Sequence, residues 1–213
     1  MNLSLRLKTI AGMVRYPTLA DVGTDHALLP VYLCYAGLLT KAAACDVNKG
    51  PLERAQKNVT QNGFIQVIET RLGSGLETLN PGEFETLVIA GMGGTLITQL
   101  LSAHLETAQS FKQLLLQPQR NFYDLRIFLL NNCFTITNEE ILIDGGKYYF
   151  IIEAVPGESK PYTEAELTFG KFVPQKNSVV FHQYLLDEIC KLERVAFKDE
   201  TKRYLELCRE NLI

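Results

Sequence analysis

The sequence lacks the patterns that mark several classes of protein. Its five cysteines form no CxxC pair, and no histidine or cysteine stands at the spacing of a zinc, haem or iron–sulfur site. No apolar run approaches the length of a membrane span, and the N-terminus has no apolar signal segment followed by a small-residue cleavage site. We therefore expect a cytoplasmic protein with reduced core thiols, no metal, no membrane association and no obligate protein partner.

A strong excess of positive charge is also missing. The 213 residues carry a formal net charge of -3, with 46% apolar and 21% charged residues. This balance argues against a strongly basic nucleic-acid coat, although a local basic patch can exist on a mildly acidic protein. The length suits one well-buried core plus a modest appendage.

The apolar pattern predicts strands that alternate with helices. Strands are expected at 19–22, 42–46, 67–70, 86–90 and 114–116, with an amphipathic helix before the first strand and helices between the others. Two further strand-like runs, 134–143 and 147–155, flank Asp144-Gly145-Gly146, which is a strong hairpin signal. The order predicts a Rossmann-like α/β fold, a seven-stranded and mostly parallel sheet with a terminal antiparallel hairpin.

A polar, proline-bounded connector at 156–161 marks the expected domain edge. It divides the chain into a domain at 1–155 and a C-terminal helical domain at 156–213. An apolar stripe in the second part predicts two packed antiparallel helices. The stripe consists of Leu185, Ile189, Leu192, Val195, Ala196, Tyr204, Leu205, Leu207, Cys208 and Leu212.

The loop after the first strand carries the most informative residues. Asp21 and Asp25 flank Gly23-Thr24, and the second strand ends at Asp46. An acid about twenty residues beyond a strand-loop-helix turn is where a nucleotide-type cofactor's ribose is held. Simple turn chemistry is the alternative explanation for this loop, and a structural hydrogen bond is the alternative role for His26.

The same loop disfavours a dinucleotide. A pyrophosphate needs glycines for close backbone approach, yet the loop keeps only Gly23 and adds Asp25. One carboxylate about 4 Å from a phosphate costs roughly 4 kcal/mol at an effective dielectric near 20. S-adenosylmethionine has no phosphate and carries a sulfonium and an ammonium, so the carboxylates would attract it. The loop therefore predicts a methyl-donor site.

Three more segments are expected at the same edge of the sheet. Asp46 could accept hydrogen bonds from both ribose hydroxyls, and Val47 could lie against adenine. The Gly73-Ser74-Gly75 turn can pass close to a flat base, and Gly91-Met92-Gly93 follows the most buried strand. A tight strand-helix turn is the alternative for this last segment. The predicted donor-binding residues are Asp21, Gly23, Thr24, Asp25, His26, Asp46, Val47, Gly73, Ser74, Gly75, Gly91, Met92 and Gly93.

The segment after the fourth strand also bears on the methyl acceptor. Many amino-methylating enzymes carry an Asn/Asp-Pro-Pro-aromatic segment there, which grips an exocyclic amine. Here the segment reads Ala90-Gly91-Met92-Gly93-Gly94, with neither the polar residue nor the aromatic. A different nucleophile is implied.

Residues 20–30 and 89–94 together resemble the bacterial tRNA (adenine-N1)-methyltransferases that act on adenine 22 of the D-arm. The resemblance extends along the whole chain. It implies a Rossmann-like catalytic domain, S-adenosylmethionine as donor, and a C-terminal helical hairpin that helps dock tRNA. The chain departs from the family pattern at Gln119, where asparagine is usual, at Phe150, where glutamate is common, and at Lys171, which replaces a proline.

The implied chemistry needs little acid or base catalysis. Adenine N1 has an in-plane lone pair that is unprotonated at neutral pH, so it can attack the sulfonium methyl directly. Asp25 could stabilise the positive charge that develops on the base, which must be flipped out of its stack. The predicted tRNA contacts, for which ordinary surface charge is the alternative, are Arg6, Arg15, Arg120, Arg126, Lys147 and Tyr148.

Other functions remain open at this point. A methyltransferase acting on another RNA, a protein or a small molecule would share the donor loops. A nicotinamide-dependent oxidoreductase should have a fuller glycine signature and no acid at position 25. A tRNA-binding module without catalysis would explain the helical tail but not the paired donor-site acids.

Overall fold

The computed structural model describes residues 3–176, 178–194 and 199–212. Its strands are β1 (Thr18–Val22), β2 (Lys41–Asp46), β3 (Ile68–Leu72), β4 (Thr86–Met92), β5 (Gln113–Pro118), β6 (Phe134–Asp144) and β7 (Lys147–Pro156). Its helices are α1 (Leu5–Met13), α2 (Leu28–Tyr35), α3 (Lys49–Gln61), α4 (Gly94–Ala103), α5 (Leu105–Gln109), α6 (Phe122–Asn131), α7 (Glu164–Phe169), α8 (Val173–Lys176), α9 (Ser178–Leu192) and α10 (Asp199–Glu210). A 3₁₀ turn spans Gly75–Thr78.

All seven strands join one sheet in the order β3-β2-β1-β4-β5-β7-β6. Strands β1 to β5 run parallel, while β7 is antiparallel to both β5 and β6. The predicted Rossmann-like fold and its terminal hairpin are confirmed. The strand order reverses between β1 and β4, and ligands of such sheets lie beside that point at the carboxyl ends of the strands.

The central strands read as continuous apolar runs because both of their faces are covered. Leu87 and Ile89 pack with α4, α5 and α6 on one face. Val88 packs with α1, α2 and α3 on the other. This is the pattern expected of parallel strands in the middle of an α/β sheet.

Local differences from the predicted elements have identifiable causes. The helix expected from position 30 begins at Leu28, because His26 and Ala27 adopt left-handed backbone conformations that close the preceding loop. The single helix expected at 95–105 is divided at His104 into α4 and α5. Two short helices, α7 and α8, were not predicted.

The C-terminal helices pack on the sheet's antiparallel hairpin. Ile141 of β6 and Phe150 of β7 share an apolar cluster with Phe169, Phe181 and Leu207. Helices α9 and α10 of the predicted stripe do pair, and the side-chain hydroxyls of Tyr184 and Tyr204 lie 2.8 Å apart between them. Val195 and Ala196 of that stripe lie outside the described residues.

Arg126 was predicted to contact tRNA, and this prediction is wrong. Its side chain is fully buried in α6, where its Nε donates to Glu139 Oε1 at 2.7 Å. Its Nη1 donates to the carbonyl oxygens of Leu167 and Thr168 at the end of α7. The other Glu139 oxygen accepts from the backbone N–H of Lys171 at 2.7 Å, a bond that a proline there could not make. The pair therefore fastens residues 167–171 to the sheet.

Two other predicted tRNA contacts also have structural roles. Tyr148 donates its hydroxyl to Asp187 of α9 at 2.6 Å and packs edge-on against Tyr184, so it connects β7 to the C-terminal helices. Arg15 precedes β1, at the amino edge of the parallel strands, and ion-pairs with buried Glu153 at 2.8 Å. It lies at the edge opposite the donor loops, and its side chain is 57% exposed. A tRNA contact by Tyr148 or Arg15 stays a prediction.

The five cysteines are free, but they are not all core residues. Cys45 and Cys208 are buried, whereas Cys133 and Cys190 are exposed, so the expectation of core thiols is wrong for those two.

Every helix in the described ranges is too short or too polar to cross a membrane.

We expect Arg126→Met to lower the free energy of unfolding by about 3–5 kcal/mol, because it leaves the Glu139 carboxylate buried without its cation. Arg203→Met is the matched control, since Arg203 pairs with Glu164 on the surface, where solvent screening leaves an ion pair little effect on stability. Chemical denaturation of both variants tests this. Equal losses would contradict a dominant role for the buried pair.

Candidate active site

The loops after β1, β2, β4 and the segment after β5 meet at the carboxyl edge of the sheet. The backbone N–H groups of Gly23 and Thr24 both donate to the Cys45 carbonyl of β2, at 2.9 and 3.0 Å. The Gly73 N–H donates to the Asp46 carbonyl at 3.0 Å. The fold thus brings three of the predicted donor-binding segments together.

Asp21 is a buried acidic residue at the carboxyl edge of the sheet. Its carboxylate accepts a 2.6 Å hydrogen bond from the Thr24 hydroxyl. Burial nevertheless raises the pKa of the Asp21 carboxyl to about 6, since desolvation outweighs that hydrogen bond. The charges of Asp25 and Asp46 raise this pKa further, whereas the Arg6 guanidinium lowers it. Asp21 is therefore the common neighbour of two carboxylates and one cation.

Asp25 and His26 occupy the outer part of the first loop. The Asp25 side chain is 77% exposed, and its carboxylate lies 3.5 Å from His26 Nε2. The His26 carbonyl accepts a 2.8 Å hydrogen bond from Asn58 of α3. The backbone of His26 therefore has the structural role, while its ring remains partly exposed beside Asp25.

Asp46 and the Gly73 turn form the second side of the edge. Asp46 Oδ1 accepts the Asn48 N–H at 2.7 Å, which leaves its other oxygen without a hydrogen bond from the described residues. Val47 is 62% exposed beside it. A Cβ on Gly73 would lie 2.3 Å from Thr78 Cγ2, so a larger residue in this turn would have to displace the Thr78 side chain.

The glycine segment after β4 is bonded to the segment after β5. Gly91, with φ +82°, forms a bulge in the pairing of β4 with β5. The Gln119 N–H donates to the Met92 carbonyl at 2.8 Å. A Cβ on Gly94 would lie 2.4 Å from the Asn121 carbonyl oxygen. The turn between β5 and α6 therefore packs directly on the turn between β4 and α4.

Met92 joins this segment to the first loop. Its Cε lies 2.0 Å from the position that a Cβ on Gly23 would take. The Met92 side chain therefore rests on the Gly23 backbone, where any larger residue would displace it. The two loops predicted to surround the donor are thus in direct contact.

Gln117 is a site residue that the sequence analysis missed. It is fully buried, and its Oε1 accepts from Arg6 Nη1 at 2.8 Å and from the Gly91 N–H at 3.1 Å. Arg6 also lies over the Tyr149 ring, 5.6 Å from its centroid. The sequence signal that could have revealed Gln117 is a polar residue directly after the apolar run of β5. Arg6 is therefore part of this edge, held by protein partners.

The remaining predicted tRNA contacts differ in their surroundings. Arg120 is exposed beside Gly93, and Lys147 is exposed at the start of β7 near the hairpin turn. Both lie on the carboxyl side of the sheet.

Comparison with known proteins identifies the family. The family model for TrmK, described as tRNA (adenine(22)-N(1))-methyltransferase, matches residues 19–210. The chain belongs to the TrmK family. The tRNA (adenine(22)-N(1))-methyltransferase of Bacillus subtilis (strain 168) is 33% identical over 190 residues, which cover 85% of this chain and 79% of that protein. The family expected from the sequence is confirmed.

Two solved structures extend the comparison to bound ligands. Streptococcus pneumoniae Sp1610 in complex with S-adenosyl-L-methionine is 34% identical, covers both chains completely and superposes with a TM-score of 0.94. M. capricolum TrmK in complex with S-adenosyl-homocysteine is 29% identical, with 99% of this chain and 97% of that one covered and a TM-score of 0.87.

The Asp21 pKa predicts a pH-dependent difference in stability. Because this pKa lies near 6 when folded and near 3.8 when unfolded, Asp21 adds stability below pH 3.8, and this is lost as pH rises through about 6. The unfolding free energy of Asp21→Asn minus that of the parent should therefore increase by about 1–2 kcal/mol as pH rises from about 5 to about 7.5. Denaturation at both pH values measures this. Parallel pH profiles of the two proteins would contradict it.

Proposed function

We propose that this protein transfers the methyl group of S-adenosylmethionine to N1 of adenine 22 in tRNA. The observation that carries the proposal is the family match over residues 19–210, which includes every predicted donor-binding loop. The relatives are named for this reaction, and their structures contain the donor or its demethylated product.

The electrostatics of the edge suit this donor. The charges of Asp25 and Asp46 both act on buried Asp21 at the carboxyl ends of β1 and β2 and raise its pKa. A sulfonium and an ammonium relieve this repulsion, whereas a pyrophosphate would add to it. The charge arrangement therefore supports S-adenosylmethionine and disfavours a dinucleotide.

We assign the donor's parts to particular residues. Asp46, with one carboxylate oxygen available, holds the ribose hydroxyls, and exposed Val47 lies against the adenine. The Gly73-Ser74-Gly75 turn borders the base on its other side. The first loop, including Gly23 and Thr24, faces the methionine portion.

In the proposed mechanism, N1 of the target adenine attacks the methyl group directly. Its lone pair is available at neutral pH, so the protein supplies alignment and exclusion of water rather than a general base. The Gly91-Met92-Gly93 segment leaves room for a flat base, because two of its three residues have no side chain. The exposed carboxylate of Asp25 stabilises the positive charge that forms on the methylated ring.

We also propose that residues 156–213 dock the tRNA. Helices α9 and α10 stand beside the 119–124 segment, which follows β5 at the active-site edge. Arg120 and Lys147, exposed on that side, remain the proposed phosphate contacts. Arg6, which borders the donor loops, is proposed to act at the target nucleotide instead.

The role of Asp46 predicts a selective loss of donor affinity. Asp46→Ala should weaken S-adenosylmethionine binding by roughly 1.5–3 kcal/mol, the range for hydrogen bonds to a charged group. Glu106→Ala, an exposed carboxylate on α5, is the control. Calorimetry on both folded variants gives the comparison. Unchanged affinity in Asp46→Ala would place the ribose elsewhere.

The reaction itself predicts a single modified nucleoside. Incubation with an unmodified tRNA transcript and methyl-labelled donor should yield 1-methyladenosine after digestion. A transcript with guanine in place of adenine 22 should take up no label. N6-methyladenosine, or label retained on protein, would refute the proposed acceptor.

A further inference from the structure

A groove of about 850 Å³ lies between the start of α6 and the C-terminal helices. One wall is the 119–124 segment, and the other includes Tyr184, Glu188, Arg203 and Tyr204. Its volume is within the range of roughly 300–1,000 Å³ that small-ligand sites occupy. None of the donor-binding residues assigned above lines it. The groove is therefore a separate site next to the active-site edge.

Arg120 connects this groove to the active site. Its side chain lines the groove, and its Nε lies 3.4 Å from the position that a Cβ on Gly93 would take. The Arg120 side chain is exposed and makes no hydrogen bond or ion pair within the described ranges. Arg203, on the opposite wall, is by contrast paired with Glu164 at 2.7 Å. An available cation thus stands at the junction of the two sites.

The walls of the groove offer a ring and several oxygen acceptors. Tyr123 is 39% exposed at the start of α6. Across the groove, the hydroxyls of Tyr184 and Tyr204 are hydrogen-bonded, and Glu188 Oε2 lies 3.5 Å from the Tyr204 hydroxyl. Glu188 Oε1 accepts from Lys191, so part of its charge is neutralised. Away from Arg120, this part of the lining suits a flat group that carries N–H donors and disfavours a phosphate.

From this arrangement we propose that the groove binds the base of the nucleotide next to the methylated adenine, stacked on Tyr123, while Arg120 holds the phosphate between the two nucleotides. The inference rests on the proposed function and adds a substrate subsite to it. A base that is flipped out loses its stacking on both neighbours, so a neighbour gains by stacking on a protein ring. The position of Arg120 between Gly93 and the groove matches a phosphate that links the two bases.

The test combines removal of the tyrosine ring with removal of the RNA base. Unmodified tRNA transcripts are made with one abasic nucleotide, either immediately before or immediately after the target adenine. We expect one of the two to raise the KM for tRNA of the parent protein by about 5- to 160-fold, the range for one stacked base. In Tyr123→Ala, the intact transcript should already show that raised KM, and the same abasic transcript should raise it little further.

Matched variants separate binding in the groove from general damage. Tyr123→Phe keeps the ring and should restore the KM. Tyr35→Ala removes an exposed tyrosine of α2 near the amino edge of the sheet, and should leave both the KM and the effect of the abasic nucleotide unchanged. The affinity for S-adenosylmethionine should stay the same in all three variants, which also reports on folding.

Arg120 is tested through the salt dependence of tRNA binding. Loss of one phosphate contact should reduce the slope of log affinity against log salt by about 1. Arg120→Ala should show this change. Arg54→Ala, an exposed arginine of α3, should not.

Two results would overturn the subsite. Independent, multiplicative effects of Tyr123→Ala and the abasic nucleotide would show that ring and base do not meet. An unchanged salt slope in Arg120→Ala would remove the phosphate contact. Failure of the proposed function can be distinguished from failure of the subsite. If the proposed function is wrong, the parent protein will not methylate even the intact transcript.

Discussion

Parallel pairing of β1, β2, β4 and β5 is the constraint on which the site depends. It makes four chain segments leave the sheet at the same edge, although they are separated by up to about a hundred residues in sequence. The amide of Gln117, at the end of β5, then connects two of these segments with the first helix, since its oxygen accepts from Arg6 of α1 and from Gly91 of the β4 bulge. Because Gln117 is fully buried, loss of that acceptor would leave two donors unsatisfied at once. The site is therefore built from backbone geometry as much as from the acids.

Sequence patterns predicted the sheet well and the side-chain partners poorly. Continuous apolar runs revealed β4 and β5, and two consecutive glycines revealed the hairpin turn. The left-handed backbone of His26 and Ala27 could not be predicted, because neither residue type requires it. The burial of Arg126, by contrast, could have been predicted from the sequence. It shares the helical stripe of Phe122, Leu125 and Leu129, a position that faces the core.

The contacts of the C-terminal segment bear on the expected boundary at residue 155, which stays a prediction. Removing everything beyond it would take away the Leu167 and Thr168 carbonyls that accept from Arg126. It would also expose Ile141 and Phe150, which are now buried against the C-terminal helices. A separate fold for residues 1–155 would keep the Arg126–Glu139 ion pair, but it would have to accommodate the loss of that pair's backbone partners and a bare apolar face. The segment after the connector is thus built into the core of the protein.

The acidic edge has an energetic consequence for binding. Asp21 is held buried close to two other carboxylates, with Arg6 as a partly offsetting cation. Part of the repulsion is avoided while Asp21 is protonated, since its pKa is raised to about 6. At neutral pH the carboxylate is ionised, and the cost of the buried charge remains until a cation approaches. A positively charged donor therefore gains affinity from the relief of this repulsion. Its demethylated product lacks the sulfonium charge and gains less, so the same electrostatics that favour donor binding also favour product release.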